Sequence, residues 1–175
     1  FPPDAWSSDD FTNTFDEAPY GRGTYTVSAS SFHASYAPWQ AFMDVSTDHT
    51  MWHSATGVYD INTGNYVGSA SLGGINGEWI SLECPQEIYL HFVRIRCRDQ
   101  NDYAYQSPVD ITVLGSADGG SSWSVISTAS DLTWSSLGEV RRISADGGFY
   151  TSFALVITKI TAEDVSDRLI ISEIE

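Results

Sequence analysis

Lysine occurs once in this 175-residue chain, as Lys159, and lysine and arginine together number 8 against 23 acidic residues. The resulting formal charge of −15 repels phosphate backbones and anionic headgroups. Nucleic acid and acidic membrane lipid are therefore set aside as partners, which leaves neutral ligands, cations and basic proteins. No run of about 18 apolar residues occurs, so no membrane-spanning helix is expected, and no signal peptide is visible. The nucleophile elbow, the phosphate-cradling glycine loop, the HExxH zinc pair and the CxxC pair are all missing. Among so many acids, nothing singles out one carboxylate pair for glycosidase chemistry. A non-enzymatic binding module is the reading that survives. Cysteine is scarce too, with only Cys84 and Cys97, both in strand-like runs. They bridge if those strands are adjacent and the β-carbons approach; otherwise they are buried free thiols.

Tyr, Trp, Phe, Val, Ile, Ser, Thr and Gly dominate instead, a mixture that favours strands and turns. The length suits one domain with a full core. Because the chain opens on Phe1-Pro2-Pro3 and stops at Glu175 within a strand-like run, it is expected to be part of a longer polypeptide. Residues 1–22 are polar, acidic and proline-bearing, and are expected to form an N-terminal arm packed on a domain spanning 23–175. In 36–43, YAPWQAFM, Pro38 suits a first helical turn and the apolar residues have helical spacing, which predicts a short helix. Residues 55–77 read as a long Gly/Asn/Ser-rich loop, a length that usually signals function. Strands are predicted at 78–83, 88–98, 109–116, 123–127, 140–144, 151–159 and 169–174, with hairpin chemistry at 117–123. Trp52, Trp79 and Trp123 are expected in the core, and Trp39 and Phe42 as anchors of the helix, while Trp6 and Trp134 receive no place. The fold class is an all-β sandwich or barrel.

The pieces YAPWQAF (36–42), TMWHS (50–54), GEWISL (77–82), RIRCRDQND (94–102), SPVDITVLGSADGGSSW (107–123) and IISEIE (170–175) resemble discoidin domains, also called coagulation factor 5/8 type C domains. They are most similar to family 32 carbohydrate-binding modules of the galactose-binding-like superfamily. FPPDAW, GRGTYTVSASS and the glycine-rich insertion after WHS resemble versions in large DNA viruses of algae. The resemblance implies a jelly-roll β-sandwich with ligand loops at one end, a structural calcium nearby and no catalysis. Fold alone does not give function, so each site is argued on its own residues.

For calcium, which takes six to eight oxygens, the resemblance implies the Gln40 carbonyl, Asp44, Thr50, the Ser172 carbonyl and Glu173. The usual Ala-Phe-Asp-Gly-Asp-x-x-Thr-x-Trp loop is altered here: Met43 follows the Ala-Phe pair and the loop is two residues longer. Asp44 and Asp48 supply the carboxylates in that case. The plainer alternative is that these acids are ordinary solvated ones. The two halves of the clip lie about 120 residues apart, a separation that a sandwich closes by pairing early and late strands. For a sugar, the resemblance implies contacts from His53, Arg98 and Asn101, and Tyr103 and Tyr105 on the following loop offer a stacking face. Tyr59 and Tyr66 are reserve platforms. Alternation places Arg94, Arg96 and Arg98 on one strand face, either as a polar or anionic-sugar wall or as partners of neighbouring carboxylates. His53 is alternatively a buried imidazole satisfied by a backbone carbonyl.

Together these features predict a calcium-stabilised glycan-binding module, with galactose-type glycans among its candidate ligands, in a larger multidomain protein on an extracellular or virion surface. The alternative is a structural protein–protein interaction module of a virion or surface protein. The phospholipid-binding discoidin mode needs basic surroundings, which the charge balance opposes.

Overall fold

The computed structural model describes residues 6, 10–16, 21–43, 50–98, 105–162 and 167–175. Its strands are β1 (Thr12–Phe15), β2 (Gly23–Ala29), β3 (Trp52–His53), β4 (Ser71–Leu72), β5 (Ile75–Asn76), β6 (Glu78–Tyr89), β7 (Phe92–Arg96), β8 (Pro108–Ser116), β9 (Ser124–Ala129), β10 (Val140–Ser144), β11 (Phe149–Ile160), β12 (Ile170–Ile171) and β13 (Glu173–Ile174). One layer is a six-stranded antiparallel sheet in the order β1-β2-β6-β11-β8-β9. The other is built from β10-β7-β13, with the pair β12-β3 leading into it through Ser172. This is the all-β jelly-roll sandwich expected from the sequence.

Period-two alternation explains the core. Val93 and Ile95 of β7 point inward, as do Ile80, Leu82 and Cys84 of β6 and Phe153, Leu155 and Ile157 of β11; all join one apolar cluster. Each such side chain contributes roughly 1.5–3 kcal/mol when fully buried. On its other face β11 turns Ala154 and Val156 toward Leu114, and Leu72, Ile75, Trp79 and Trp123 cover them. The β4–β5 hairpin comes from the glycine-rich stretch 55–77. That stretch is therefore a packed cover on the large sheet, and Trp79 and Trp123 belong to this second, smaller cluster.

Three elements differ in detail from the sequence reading. The predicted helix is a 3-10 turn, Pro38–Phe42, with Ala41 and Phe42 buried; five residues give too few bonds for an α-helix. The run 88–98 is divided, because β6 continues to Tyr89 and β7 starts at Phe92. Pro85 is tolerated within β6 because the ladder slips there: Glu83 opposes Ser152 while Ile88 opposes Tyr150. The closing strand divides at Ser172, since Ile170–Ile171 pairs with β3 and Glu173–Ile174 with β7. Tyr59 is buried and donates to the Ile157 carbonyl at 2.9 Å, so it is no sugar platform, whereas Tyr66 is half-buried and donates to Glu78 at 3.2 Å.

The N-terminal stretch contributes β1 as an edge strand and places Trp6 in the main core. Trp6 stands edge-on to Phe15 and tilted against Phe42, with ring centroids 6.5 and 6.2 Å away. Trp134 is anchored by donation to the Pro108 carbonyl at 2.8 Å. Both cysteines are free and buried, and burial pushes the Cys84 thiol up to about 12, leaving it inert at neutral pH. Among the described residues no helix is long and apolar enough to cross a membrane.

Candidate functional site

Strand pairing brings His53 and Arg98 to the same end of the sandwich. His53 sits in register with Ile170 across the β3–β12 pair, and the Ile170 N–H donates to the Gln106 carbonyl at 2.9 Å. Arg98, two residues beyond β7, donates from Nη1 to Gln106 Oε1 at 3.2 Å. Arg168 precedes β12, and His33 and Tyr36 precede the 3-10 turn. His33, Tyr36, His53, Arg98, Gln106, Arg168 and Ile170 together line an open concavity of about 360 Å³. Its polar lining and sugar-sized volume distinguish it from a second cavity of about 550 Å³ at the Phe92 end of β7. That cavity is walled by Ile80, Leu82, Phe92, Phe149, Phe153 and Leu155 and offers a sugar few hydrogen bonds.

His53 is held by main-chain bonds on both sides. Its N–H donates to the Tyr36 carbonyl at 3.3 Å, and its carbonyl accepts from the His33 N–H at 2.9 Å. The Tyr36 ring lies parallel to the imidazole, with centroids 3.8 Å apart and an interplanar angle of 6°. Only 6% of His53 is exposed, and neither Nδ1 nor Nε2 has a hydrogen-bond partner among the described residues. The imagined backbone-satisfied imidazole is thus not what the described residues build. Burial first, and then the charges of Arg168, Arg98 and His33, hold the imidazole pKa down at about 3. The ring is therefore neutral near pH 7, with one nitrogen a donor and the other an acceptor.

The three β7-side arginines divide. Arg94 pairs with Glu175, and Arg96 Nε meets Glu173 Oε2 at 2.6 Å, so these two are partners of carboxylates at the end of the chain and form no ligand wall. Arg98 alone reaches the concavity. Tyr105 is half-buried beside Gln106 and is not part of the lining, while Asn101 and Tyr103 lie outside the described residues.

The residues expected to hold calcium are brought together in part. The 3-10 turn carrying Gln40 packs against β13, which carries Glu173. Gln40 Oε1, Ser172 Oγ and Glu173 Oε1 are buried with no hydrogen-bond partner among the described residues. A hard cation prefers oxygens of this kind, although for Gln40 and Ser172 these are side-chain atoms and not the carbonyls expected. The Gln40 carbonyl accepts from the Met43 N–H at 3.3 Å and keeps a second lone pair. Thr50 is described, whereas Asp44 and Asp48 lie outside the described residues. Among the described residues no group of three or more His, Cys, Asp or Glu could hold a metal.

His33, Tyr36, Gln106 and Arg168 were not singled out in the sequence. Gln106 adopts φ +67°, which no local pattern announces. Arg168 carried one usable signal, as one of few cations placed just before the last strand.

No family model matches the sequence, and no curated protein sequence does either. Solved structures do match. The Clostridium perfringens module CpGH89CBM32-5, in complex with GalNAc-β-1,3-galactose, superposes with a TM-score of 0.61 at 15% identity, over 86% of this chain and 92% of that one. The fold is the one these modules share. The family 32 CBM from C. perfringens NanJ, in complex with galactose, gives 0.58 at 13% identity, over 86% of this chain and 90% of that one. Chitosan-binding module 1 of a Paenibacillus sp. IK-5 chitosanase/glucanase gives 0.58 at 19% identity, over 86% and 92%.

Proposed function

We propose that this chain is a non-catalytic carbohydrate-binding module of the family 32 type, braced by calcium, which tethers a larger protein to glycans. The observation that carries the reading is the concavity shared by His53, Arg98, Gln106 and Arg168 at one end of a fold common to sugar-binding modules. A sugar is held by a few directed hydrogen bonds and an apolar face on an aromatic ring. Here Arg98 and Arg168 donate, Gln106 and the neutral His53 both donate and accept, and Tyr36 supplies the ring. Two imidazole nitrogens without a partner among the described residues cost about 1–3 kcal/mol each when buried dry, which a bound hydroxyl relieves. Resemblance to versions in large DNA viruses of algae supports a virion or other extracellular surface as the place of action.

Glycan arrays followed by titration calorimetry test this. His53→Ala and Arg98→Ala should each weaken binding at least ~10-fold, equivalent to about 1.4 kcal/mol. Full retention by both variants would remove the site assignment.

Calcium would be held by Gln40, Asp44, Asp48, Thr50, Ser172 and Glu173, the last through Oε1 because Oε2 is committed to Arg96. When bound, it would supply a rigid oxygen-bridged link between the 3-10 turn and the last strand. An ion that binds only the folded state at about 100 times its Kd adds roughly 2.7 kcal/mol. Saturating calcium should therefore raise Tm above its value in EGTA by roughly 5–10 °C. Identical melting curves under the two conditions would rule the brace out.

A further inference from the structure

The cavity of about 550 Å³ lies at the opposite end of β7 from Arg98, on the order of 20 Å away at the usual rise of a strand. Both layers wall it, with Ile80, Leu82 and Val113 from the large sheet and Val93 and Ile174 from the other. Each of these five is 8% exposed or less, so the space runs between the sheets into the middle of the sandwich. Two other lining residues, Phe92 and Phe149, are 38% and 63% exposed and mark the mouth. Protein cores are close-packed, with few voids larger than a water molecule. A space of this size among core side chains is therefore no ordinary packing defect. Water there finds few polar partners, and an apolar group that displaces such water gains affinity.

We infer that this cavity is a second binding site, independent of the sugar site, for an uncharged small molecule with an apolar body and a single neutral polar group. Depth points to a small molecule. A flat protein surface cannot reach Val113, which has no exposed area, whereas a slender chain entering between Phe92 and Phe149 can. Charge points to a neutral one. Of the acids and arginines in the lining, Arg94 and Glu175 are paired with each other. The third, Glu87, is exposed to solvent, so it repels an anion and gives a cation no enclosed counter-charge. Gln86 and His91 supply polar atoms for a hydroxyl or similar group. Ligand sites are typically of this kind, roughly 300–1,000 Å³ of mostly apolar wall with a few polar groups. A cavity of roughly 150 Å³ takes benzene, so this one has room for a body of about ten carbons or more.

Calorimetric titration of the protein with decan-1-ol near pH 7 tests the inference, with hexan-1-ol and decanoate as comparisons. Decan-1-ol should bind saturably at one site and raise Tm. Hexan-1-ol, four methylenes shorter, should bind at least ~10-fold more weakly, because each buried methylene adds to transfer out of water. Decanoate, ionised at that pH, should also bind more weakly than the alcohol. Val93→Phe fills the space and should abolish binding. Phe149→Ser changes an exposed ring at the mouth, so the fold is retained, and it should weaken decan-1-ol at least ~3-fold. Thermal melts check that both variants are folded. Absence of saturable decan-1-ol binding, including the case in which a second copy of the chain covers the mouth in sedimentation runs, would overturn the inference. Decanoate binding more tightly than the alcohol, or alcohol binding untouched by both substitutions, would overturn it as well. None of these results bears on glycan binding, which is read separately on the array.

Discussion

Gly64→Ala should destabilise the protein by about 3–5 kcal/mol, a large effect for the addition of one methyl group. Gly64 has φ +71°, where an alanine is strained by about 1–2 kcal/mol. The greater part comes from space. A β-carbon there would stand 2.0 Å from the Ile160 carbonyl oxygen and 3.0 Å from its carbon. Those atoms are main chain at the buried end of β11, and they cannot step aside without breaking two bonds. The Ile160 N–H donates to the Gly64 carbonyl at 2.9 Å, and the Gly64 N–H to the Asp60 carbonyl at 2.8 Å. Gly57→Ala is the matched control: its φ is +74° but nothing lies within 4 Å of an added β-carbon, so only the backbone strain should appear. Urea unfolding of both variants separates the two contributions. Equal losses at the two positions would show that the close approach of the insertion to β11 is not as described.

The second large effect is acid lability originating at His53. An unfolded histidine titrates near 6.5, whereas the folded one is held at about 3 by burial and by Arg168, Arg98 and His33. Between these values the unfolded chain binds a proton that the native chain refuses, so stability falls as pH falls. The contribution is complete above pH 6.5 and is lost progressively down to about pH 3. At pH 4.5 the loss from this one group amounts to about 2–3 kcal/mol. Many carboxylates titrate over the same range, so the measurement is a difference. Unfolding of wild type and His53→Phe at pH 7.5 and pH 4.5 should show the wild type losing about 2–3 kcal/mol more. A pH-independent gap between the two proteins would mean that the imidazole is not shielded.

Local periodicity made much of the sandwich legible. Val93 and Ile95 alternate with Phe92, Arg94 and Arg96, and the structure buries the first pair and exposes most of the rest. The break in 88–98 was hidden because Leu90-His91, where the chain leaves β6 for β7, carries no glycine, proline or other turn residue. The insertion 55–77 looked like a loop because its cover function needs just two apolar residues, Leu72 and Ile75, on short strands. At the site, His53 and Arg98 were nameable because a family pattern carried them. Arg168 and Gln106 required the β3–β12 and Gln106–Ile170 pairings, which are set by packing across the whole chain. Arg94 and Arg96 shared the sequence signature of Arg98, and only the fold sets Glu175 and Glu173 against them at the end of the chain.

The N-terminal residues bear on how the molecule can be divided. Trp6 is buried in the main apolar cluster beside Phe15 and Phe42, and β1 occupies one margin of the large sheet through its ladder with β2. A recombinant version trimmed to start at Gly23 would lose both aromatic plugs and leave the amide rim of β2 bare. Such a rim recruits other copies by strand addition. The minimal soluble unit therefore begins upstream of Trp6, well before the first strand that the alternating pattern marks.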